Sequence, residues 1–208
     1  MSFLATPTRD TLRATTLTVI AGIADAVGYI TMGGVFAANM TGNTVLAGIA
    51  VAQRNGTEAW HHLAPLLAFF LGAMLSRLLL RLWHRPATCL LIEAALLAVV
   101  GFLSLDPEFA VLILALAMGL QASAITHFSG NAVSTVVVTS TLARTAEAVL
   151  DRLWPGEKRP LPAAANLPLL ALTWIGYLAG AVAGALLLAA VPYPLLVPVV
   201  LLALLLFL

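Results

Sequence analysis

The chain alternates long apolar stretches with short polar ones, and the apolar stretches are long enough to cross a membrane. A bilayer core of about 30 Å needs about 20 apolar residues in a helix. The pattern therefore predicts an all-α, polytopic membrane helix bundle in one membrane domain, residues 1–208. It places six full membrane-spanning helices at approximately residues 12–32, 63–83, 88–105, 109–126, 167–190 and 193–208.

Two segments between these spans, residues 33–53 and 129–153, are too polar or too interrupted to form simple spans. Each has the composition of extended backbone followed by a short helix. In the first, Gly33 and Gly34 disfavour helix and Thr41 is the predicted N-cap; in the second, the β-branched run 133–138 favours extension and Thr139 or Thr141 is the predicted cap. Non-helical backbone survives at membrane depth only where protein or a wet cavity surrounds it. Both segments are therefore expected inside the bundle as broken, re-entrant half-helices.

The two halves of the chain share a pattern. Asp25 in the first span and Gln121 in the fourth are each followed nine positions later by a glycine, Gly34 and Gly130. Small-residue faces that let helices pack closely occur at Gly72 and Ser76, and again at Gly176, Gly180 and Gly184. This predicts one repeat at about residues 12–105 and a second at about 109–208, with Gln121 as the counterpart of Asp25.

The distribution of lysine and arginine allows two topologies. If the broken segments are re-entrant, Arg54 is the one basic residue of ten that falls outside the cell. If they cross the membrane, the division becomes seven inside and three outside. The positive-inside rule favours the re-entrant arrangement, with a cytoplasmic N-terminus in a bacterial inner membrane. Three crossings in each repeat then make the repeats inverted, a recurring architecture among transporters.

Composition excludes several classes of function. The chain has 62% hydrophobic and 9% charged residues, against roughly 45–50% and 25% in soluble domains. The net charge of +1 gives no indication of nucleic-acid binding, and the single Cys89 excludes an internal disulfide. Nucleotide-binding, zinc-protease and serine-hydrolase motifs do not occur. The sequence therefore predicts no metal site, no cofactor and no enzymatic activity.

Asp25 is the main candidate for chemistry, because an unpaired carboxylate in a membrane span costs roughly 2.5 kcal/mol or more. It must be paired, hydrated or protonated. One interpretation is a group that couples a proton or cation; the other is a structural carboxylate that caps the helix start at Thr41, Gly42 and Asn43. The two overlap, because a half-helix N-terminus attracts either a carboxylate or an anionic substrate.

Neutral polar residues in the two broken segments complete the predicted substrate-binding site. They offer donors and acceptors to a polar solute, and the alternative is that they satisfy broken backbone. Glu93, by contrast, is expected to lie near the cytoplasmic end of the third span and to pair with Arg81 or Arg85. The predicted site residues are Asp25, Asn39, Thr41, Gly42, Asn43, Gln121, Thr139, Ser140 and Thr141.

These residues resemble those of the YoaK family of bacterial inner-membrane proteins, a domain of unknown function. The resemblance covers nearly the whole chain and implies a multi-pass membrane protein without an established substrate. The family's second half has Gln-Asn and Thr-Gly-Thr where this chain has Gln121-Ala122 and Thr139-Ser140-Thr141. The matching motifs are Gly22-x-x-Asp25, Gly33-Gly34-Val-Phe36, Asn39-Met-Thr-Gly-Asn43, Gly119-Leu-Gln121 and Val138-Thr-Ser-Thr-Leu-x-Arg144.

The leading hypothesis is a small secondary transporter or channel-like permease for a small polar or ionic solute, with a midplane site at two half-helix N-termini. The alternative is a non-transporting scaffold or partner subunit whose broken helices are purely structural. An intramembrane enzyme is a weaker third, because the motifs supply no nucleophile or metal. The expected partners are the lipid bilayer, the solute and a second copy of the chain, docked through Gly176, Gly180 and Gly184.

Overall fold

The computed structural model describes residues 9–124, 127–128, 131–132, 138–153 and 167–207. This part of the chain is helical apart from the loops between helices and two short strands, β1 (His127–Phe128) and β2 (Asn131–Ala132), which pair antiparallel. The all-α class is therefore confirmed. The helices are α1 (Arg9–Thr31), α2 (Met40–Ala52), α3 (Gly56–Trp83), α4 (Pro86–Phe102), α5 (Pro107–Ala124), α6 (Val138–Leu153), α7 (Leu167–Ala190) and α8 (Leu196–Leu205).

Four of these helices, α1, α3, α5 and α7, are long and apolar enough to cross a membrane. Helices α4 and α8 are also apolar but shorter, with 17 and 10 residues. The bounds of α7 match the predicted span, whereas α3 begins at Gly56, seven residues before the predicted start. The Asn55 side chain causes this difference, because its Oδ1 accepts a hydrogen bond from the Glu58 N–H at 3.1 Å and caps the helix.

The predicted caps of the two short helices are wrong. Helix α2 starts at Met40, where Asn39 is the N-cap and its Oδ1 accepts from the Gly42 N–H at 3.2 Å. Thr41 lies within the first turn and is exposed. Helix α6 starts at Val138, so Thr139 and Thr141 lie inside it. Residues 125–126, 129–130, 133–137 and 208, which the predicted elements included, lie outside the described residues.

Glycines bring the long helices together in two pairs. In the α1–α7 pair, a Cβ on Gly22 would meet the Tyr177 carbonyl oxygen, and one on Gly180 would meet the Val19 carbonyl oxygen. In the α3–α5 pair, Gly72 lies against the carbonyl of Leu116 in the same way. The backbones of both pairs are therefore in direct contact, as the small-residue faces predicted.

The glycine face of α7 is used within the chain. A Cβ on Gly176 would lie 3.0 Å from Thr18 Oγ1, and one on Gly184 would lie 3.0 Å from the Ala26 Cβ, so α1 covers both ends of this face. These glycines are therefore buried against α1 of the same chain, and a homodimer stays a prediction. Because later residues of α7 contact later residues of α1, the two helices run parallel.

Helix α3 runs antiparallel to α1. The His61 Nε2 atom, near the start of α3, lies 3.1 Å from the carbonyl oxygen of Gly33, just after the end of α1. The first turns of α3 and α5 line one cavity, with Thr57 and His61 on one side and Val111 and Leu112 on the other. Helices α3 and α5 are therefore parallel to each other and opposite to α1.

Candidate functional site

The Asp25 carboxylate joins three parts of the bundle. The side chain is buried, with 3% of its surface exposed. Its Oδ1 accepts from the Ala38 N–H at 2.6 Å, and its Oδ2 accepts from the Asn39 N–H at 3.1 Å and from the Tyr177 hydroxyl. A carboxylate on α1 is thus held by α7 and by the residues that lead into α2.

Two glycines turn the chain back after α1 so that it reaches Asp25. Gly33 and Gly34 have φ angles of +74° and +76°, a conformation that L residues rarely adopt. The segment that returns, residues 35–39, then passes close to α1, since a Cβ on Gly28 would lie 3.1 Å from the Val35 carbonyl oxygen. These glycines place the start of α2 beside the carboxylate.

Asn43 holds the returning segment, residues 35–39, in place through Phe36. The Asn43 side chain is fully buried. Its Oδ1 accepts from the Phe36 N–H at 2.9 Å, and its Nδ2 donates to the Phe36 carbonyl oxygen at 2.7 Å. The Phe36 ring stacks on Tyr29 with centroids 4.8 Å apart and covers Gly42, whose added Cβ would lie 2.8 Å from that ring. Asn43 therefore satisfies both polar groups of a non-helical residue.

We expect Asn43→Leu to destabilise the protein, because it leaves the partly buried N–H and carbonyl of Phe36 without their partners. Each orphaned group costs about 1–3 kcal/mol. Thermal unfolding of the purified protein in detergent measures the loss. Thr41→Ala is the matched control in the same motif: Thr41 is exposed, so its free energy of unfolding should change by no more than about 0.5 kcal/mol. Equal melting temperatures for Asn43→Leu and wild type would refute this account.

The donors to Asp25 are neutral, and the two backbone donors lie at the positive end of a helix. Ala38 and Asn39 lead into α2, and a helix N-terminus carries roughly half a positive charge. The ion pair between His62 and Glu58, at 3.2 Å, does not involve Asp25. The arrangement can hold one negative charge, or a proton on the carboxyl. A solute with a hydrogen-bond donor can also compete with Tyr177 for Oδ2.

The remaining predicted site residues lie elsewhere. Gln121 is fully buried, and its Nε2 donates to the Leu17 carbonyl oxygen at 3.0 Å. Leu17 is about 12 Å from Asp25 along the axis of α1. Thr139 and Ser140 are exposed at the start of α6, whereas Thr141 is buried. The structure thus brings together Asp25, Asn39, Gly42 and Asn43, while Gln121 bonds to Leu17 and Thr139 and Ser140 are exposed.

The two glycine-packed helix pairs share one register. Gly119 of α5 lies against the Phe69 carbonyl, as Gly22 lies against that of Tyr177. A Cβ on Gly119 would also lie 3.0 Å from the Ala73 nitrogen, and one on Gly22 would lie 2.8 Å from the Ala181 nitrogen. This register matches Phe69 with Tyr177.

The same register matches Ala122 with Asp25, because each lies three positions after its glycine. Under this register Asp25 corresponds to Ala122 and not to Gln121, the residue that the sequence pattern pairs with it. The aspartate and the tyrosine that donates to it are both absent from the second pair, where Ala122 and Phe69 take their places.

Sequence reasoning missed Tyr177. It lies far from Asp25 along the chain, and its ring fits the apolar surroundings of α7. Its position could have identified it in the sequence, because Tyr177 lies three residues before Gly180. A side chain at that position points towards the helix on which the small-residue face packs.

The expectation for Glu93 is also wrong. It lies near the middle of α4 and is fully buried, whereas Arg81 and Arg85 are exposed. Neither of its carboxylate oxygens has a hydrogen-bond partner among the described residues.

Comparison with known proteins agrees with this membrane-like fold. The family described as "Protein of unknown function (DUF1275)" matches residues 13–208. The UPF0700 transmembrane protein YoaK of Bacillus subtilis (strain 168) is 33% identical over 149 residues, which cover 66% of this chain and 66% of that protein, about two thirds of its length. No solved structure matches. The resemblance to the YoaK family is confirmed, and the chain is a membrane protein that belongs to the DUF1275 family.

Proposed function

We propose that this protein is a small secondary transporter or channel-like permease for a small polar or ionic solute, which binds at Asp25 and the start of α2. The observation that carries this proposal is the buried Asp25 carboxylate, held by the Ala38 and Asn39 N–H groups and the Tyr177 hydroxyl. An ionisable group inside a membrane bundle indicates a functional site by default.

The path of the chain around α2 supports a re-entrant half-helix. The chain leaves α1 at Thr31, returns to the depth of Asp25 at Ala38, and reaches the start of α3, where His61 contacts Gly33. It therefore enters and leaves at one end of the bundle. In this proposal α1, α3, α4, α5, α7 and α8 form the six crossings. Discontinuous helices whose N-termini face the substrate recur at transporter sites.

The packing pattern supports an inverted repeat. Helix α1 packs on α7 as α5 packs on α3, with matched glycines, and α2 packs on α3 as α6 packs on α7. Helices α1 and α5, the first of each half, run in opposite directions. Strand β1, which directly precedes the second broken segment, also lies against α1. Each half then contributes one broken segment to a common interior.

The charges at the two ends support a cytoplasmic N-terminus. Arg9 and Arg13 lie at the start of α1, and Arg81 and Arg85 lie where α3 meets α4. These positions share one end of the bundle, and Arg54 lies at the other. The positive-inside rule then assigns the arginine-rich end to the cytoplasm.

In this proposal the site is one-sided. Ala122 and Phe69 replace Asp25 and Tyr177 in the second half, so a charged or donor-bearing solute finds a carboxylate at one of the two related positions. Thr139 and Ser140 of α6 are exposed, and they serve as controls for the site instead of members of it.

The test is ligand-dependent thermal stability of purified wild type, Asp25→Asn and Thr139→Ala, across pH, with a panel of small anions, cations, amino acids and nucleobases. A ligand at 100 times its Kd stabilises the folded state by about 2.7 kcal/mol. We expect a ligand that raises the melting temperature of wild type and of Thr139→Ala but has little effect on Asp25→Asn. Flux of that ligand into proteoliposomes then tests transport directly. A ligand that stabilises Asp25→Asn as strongly as wild type would place the site elsewhere.

A non-transporting scaffold or partner subunit is the second candidate. One observation favours it: Asn39 and Asn43 both bond to the chain's own backbone, so most of the polar motif has a structural use. On this alternative, Asp25→Asn alters the melting temperature while no solute crosses the bilayer faster with wild-type protein than with the variant.

A further inference from the structure

Glu93 is a second carboxylate in the bundle, and its surroundings differ from those of Asp25. It is completely buried in α4, and neither of its oxygens has a hydrogen-bond partner among the described residues. On the same face, one turn earlier, Cys89 is also completely buried, and the Ser76 hydroxyl of α3 lies 3.5 Å from its sulfur. Glu93 is thus enclosed among the helices that pack on α4.

Within the part of the chain that the structure describes, the helices that pack on α4 bring no cation to Glu93. These helices are α3, α5 and α8. Helix α8 has no ionisable residue, and the one in α5, Glu108, is exposed in its first turn. In α3, Arg77 and Arg81 are exposed, and the acidic and histidine residues Glu58, His61 and His62 lie in its first two turns, at the opposite end from Ser76.

We propose that Glu93 is a proton-binding site inside the bundle, which holds its proton as a carboxylic acid and exchanges it with water. An ionised carboxylate without partners costs several kcal/mol when buried, whereas the protonated form carries no charge. A single carboxylate is sufficient for a proton. Calcium or magnesium ions require about six or more oxygen ligands, and the described residues contain no cluster of three His, Cys, Asp or Glu side chains.

This site is separate from the one at Asp25. Asp25 receives three hydrogen bonds, which stabilise a negative charge, and Glu93 receives none among the described residues. Two carboxylates in such different surroundings are suited to different tasks. If the protein transports a solute, Glu93 supplies a proton for coupling. The proton site itself does not depend on that proposed function.

The test begins with a hydrophobic carbodiimide, which reacts with buried carboxylic acids. The acid adds across one C=N bond, its proton moves to nitrogen and its oxygen bonds to carbon; the adduct rearranges to an N-acylurea that retains the full mass of the reagent. We expect peptide mass spectrometry of the full-length protein in detergent to place the adduct on Glu93. Wild-type protein without an adduct on Glu93 would overturn the proposal. Glu108→Gln, which removes an exposed carboxylate, should leave the labelling unchanged.

Infrared spectroscopy tests proton exchange. Wild type should have the carbonyl stretch of a protonated carboxylic acid, which shifts in D₂O and is absent from Glu93→Gln. Glu93→Gln mimics the neutral acid, so it should melt close to wild type. A band that does not shift in D₂O would show that the proton does not exchange with water. A band retained by Glu93→Gln but lost from Asp25→Asn would assign the proton to Asp25 and overturn the proposal. Neither readout requires a solute, so their failure would leave the Asp25 proposal standing.

Discussion

Gly180→Ala is expected to cause a large loss of stability, although it adds a single methyl group. The new Cβ would meet the carbonyl oxygen of Val19 and would lie 2.9 Å from the Val19 Cα. These atoms belong to the backbone of α1, so no side chain can rotate away and the two helices must separate. Overpacking costs about 1–3 kcal/mol, and more where the obstacle is rigid. Thermal unfolding in detergent and the yield of folded protein measure the effect.

Gly48→Ala is the matched control, because a Cβ on Gly48 of α2 meets nothing within 4 Å. Alanine is a better helix former than glycine by about 1 kcal/mol. The control should therefore melt at or above the wild-type temperature, while Gly180→Ala melts well below it. If the two variants behaved alike, close packing of α1 on α7 would not be what holds the bundle together.

The local part of the site is predictable from sequence. The glycine pair Gly33-Gly34 breaks the helix after Asp25, and the next polar residues, Asn39 and Asn43, begin a short helix. A chain that turns back this soon cannot carry its polar residues far from Asp25. That cluster therefore follows from spacing alone, as does the close packing of helices at the glycine faces.

The choice of N-cap could not be predicted in the same way. Asn39 and Thr41 are both good caps, and only the path of the backbone selects Asn39. The start of α3 at Gly56 could not be predicted either, because it also depends on a cap. A cap by Asn55 extends an apolar helix into polar sequence, where a hydropathy pattern gives no signal.

The long-range part of the site depends on helix packing. Tyr177 reaches Asp25 because Gly22 and Gly180 bring α1 and α7 together in one register, and a change of one position would direct the tyrosine elsewhere. The same dependence on helix packing explains why the sequence pattern pairs Gln121, and not Ala122, with Asp25. Sequence motifs alone align Gly130 with Gly34, whereas the helix contacts align Gly119 with Gly22 and so assign Ala122.

Asp25→Leu is expected to have the largest effect of any substitution at the site. Leucine has the same branched shape, with two methyl groups in place of the carboxylate oxygens, but it accepts no hydrogen bond. The N–H groups of Ala38 and Asn39 and the hydroxyl of Tyr177 would therefore all lose their partner inside the bundle. Each orphaned donor costs about 1–3 kcal/mol, and together they exceed the effect of most single substitutions. The fraction of protein that remains folded after a heating series, followed by size-exclusion chromatography, measures the loss.

A double-mutant cycle with Tyr177→Phe separates the hydrogen bond from other effects. Phenylalanine keeps the ring and removes the hydroxyl, which reproduces the residue found at the matched position 69. Asp25→Leu should therefore cost less in the Tyr177→Phe background than in wild type, with a coupling of about 0.5–3 kcal/mol. Additive losses would mean that the carboxylate and the hydroxyl act independently. In that case the presence of Ala122 and Phe69 at the matched positions of the second helix pair would not reflect the loss of one interaction. The one-sided site would then depend on Asp25 and the start of α2 alone.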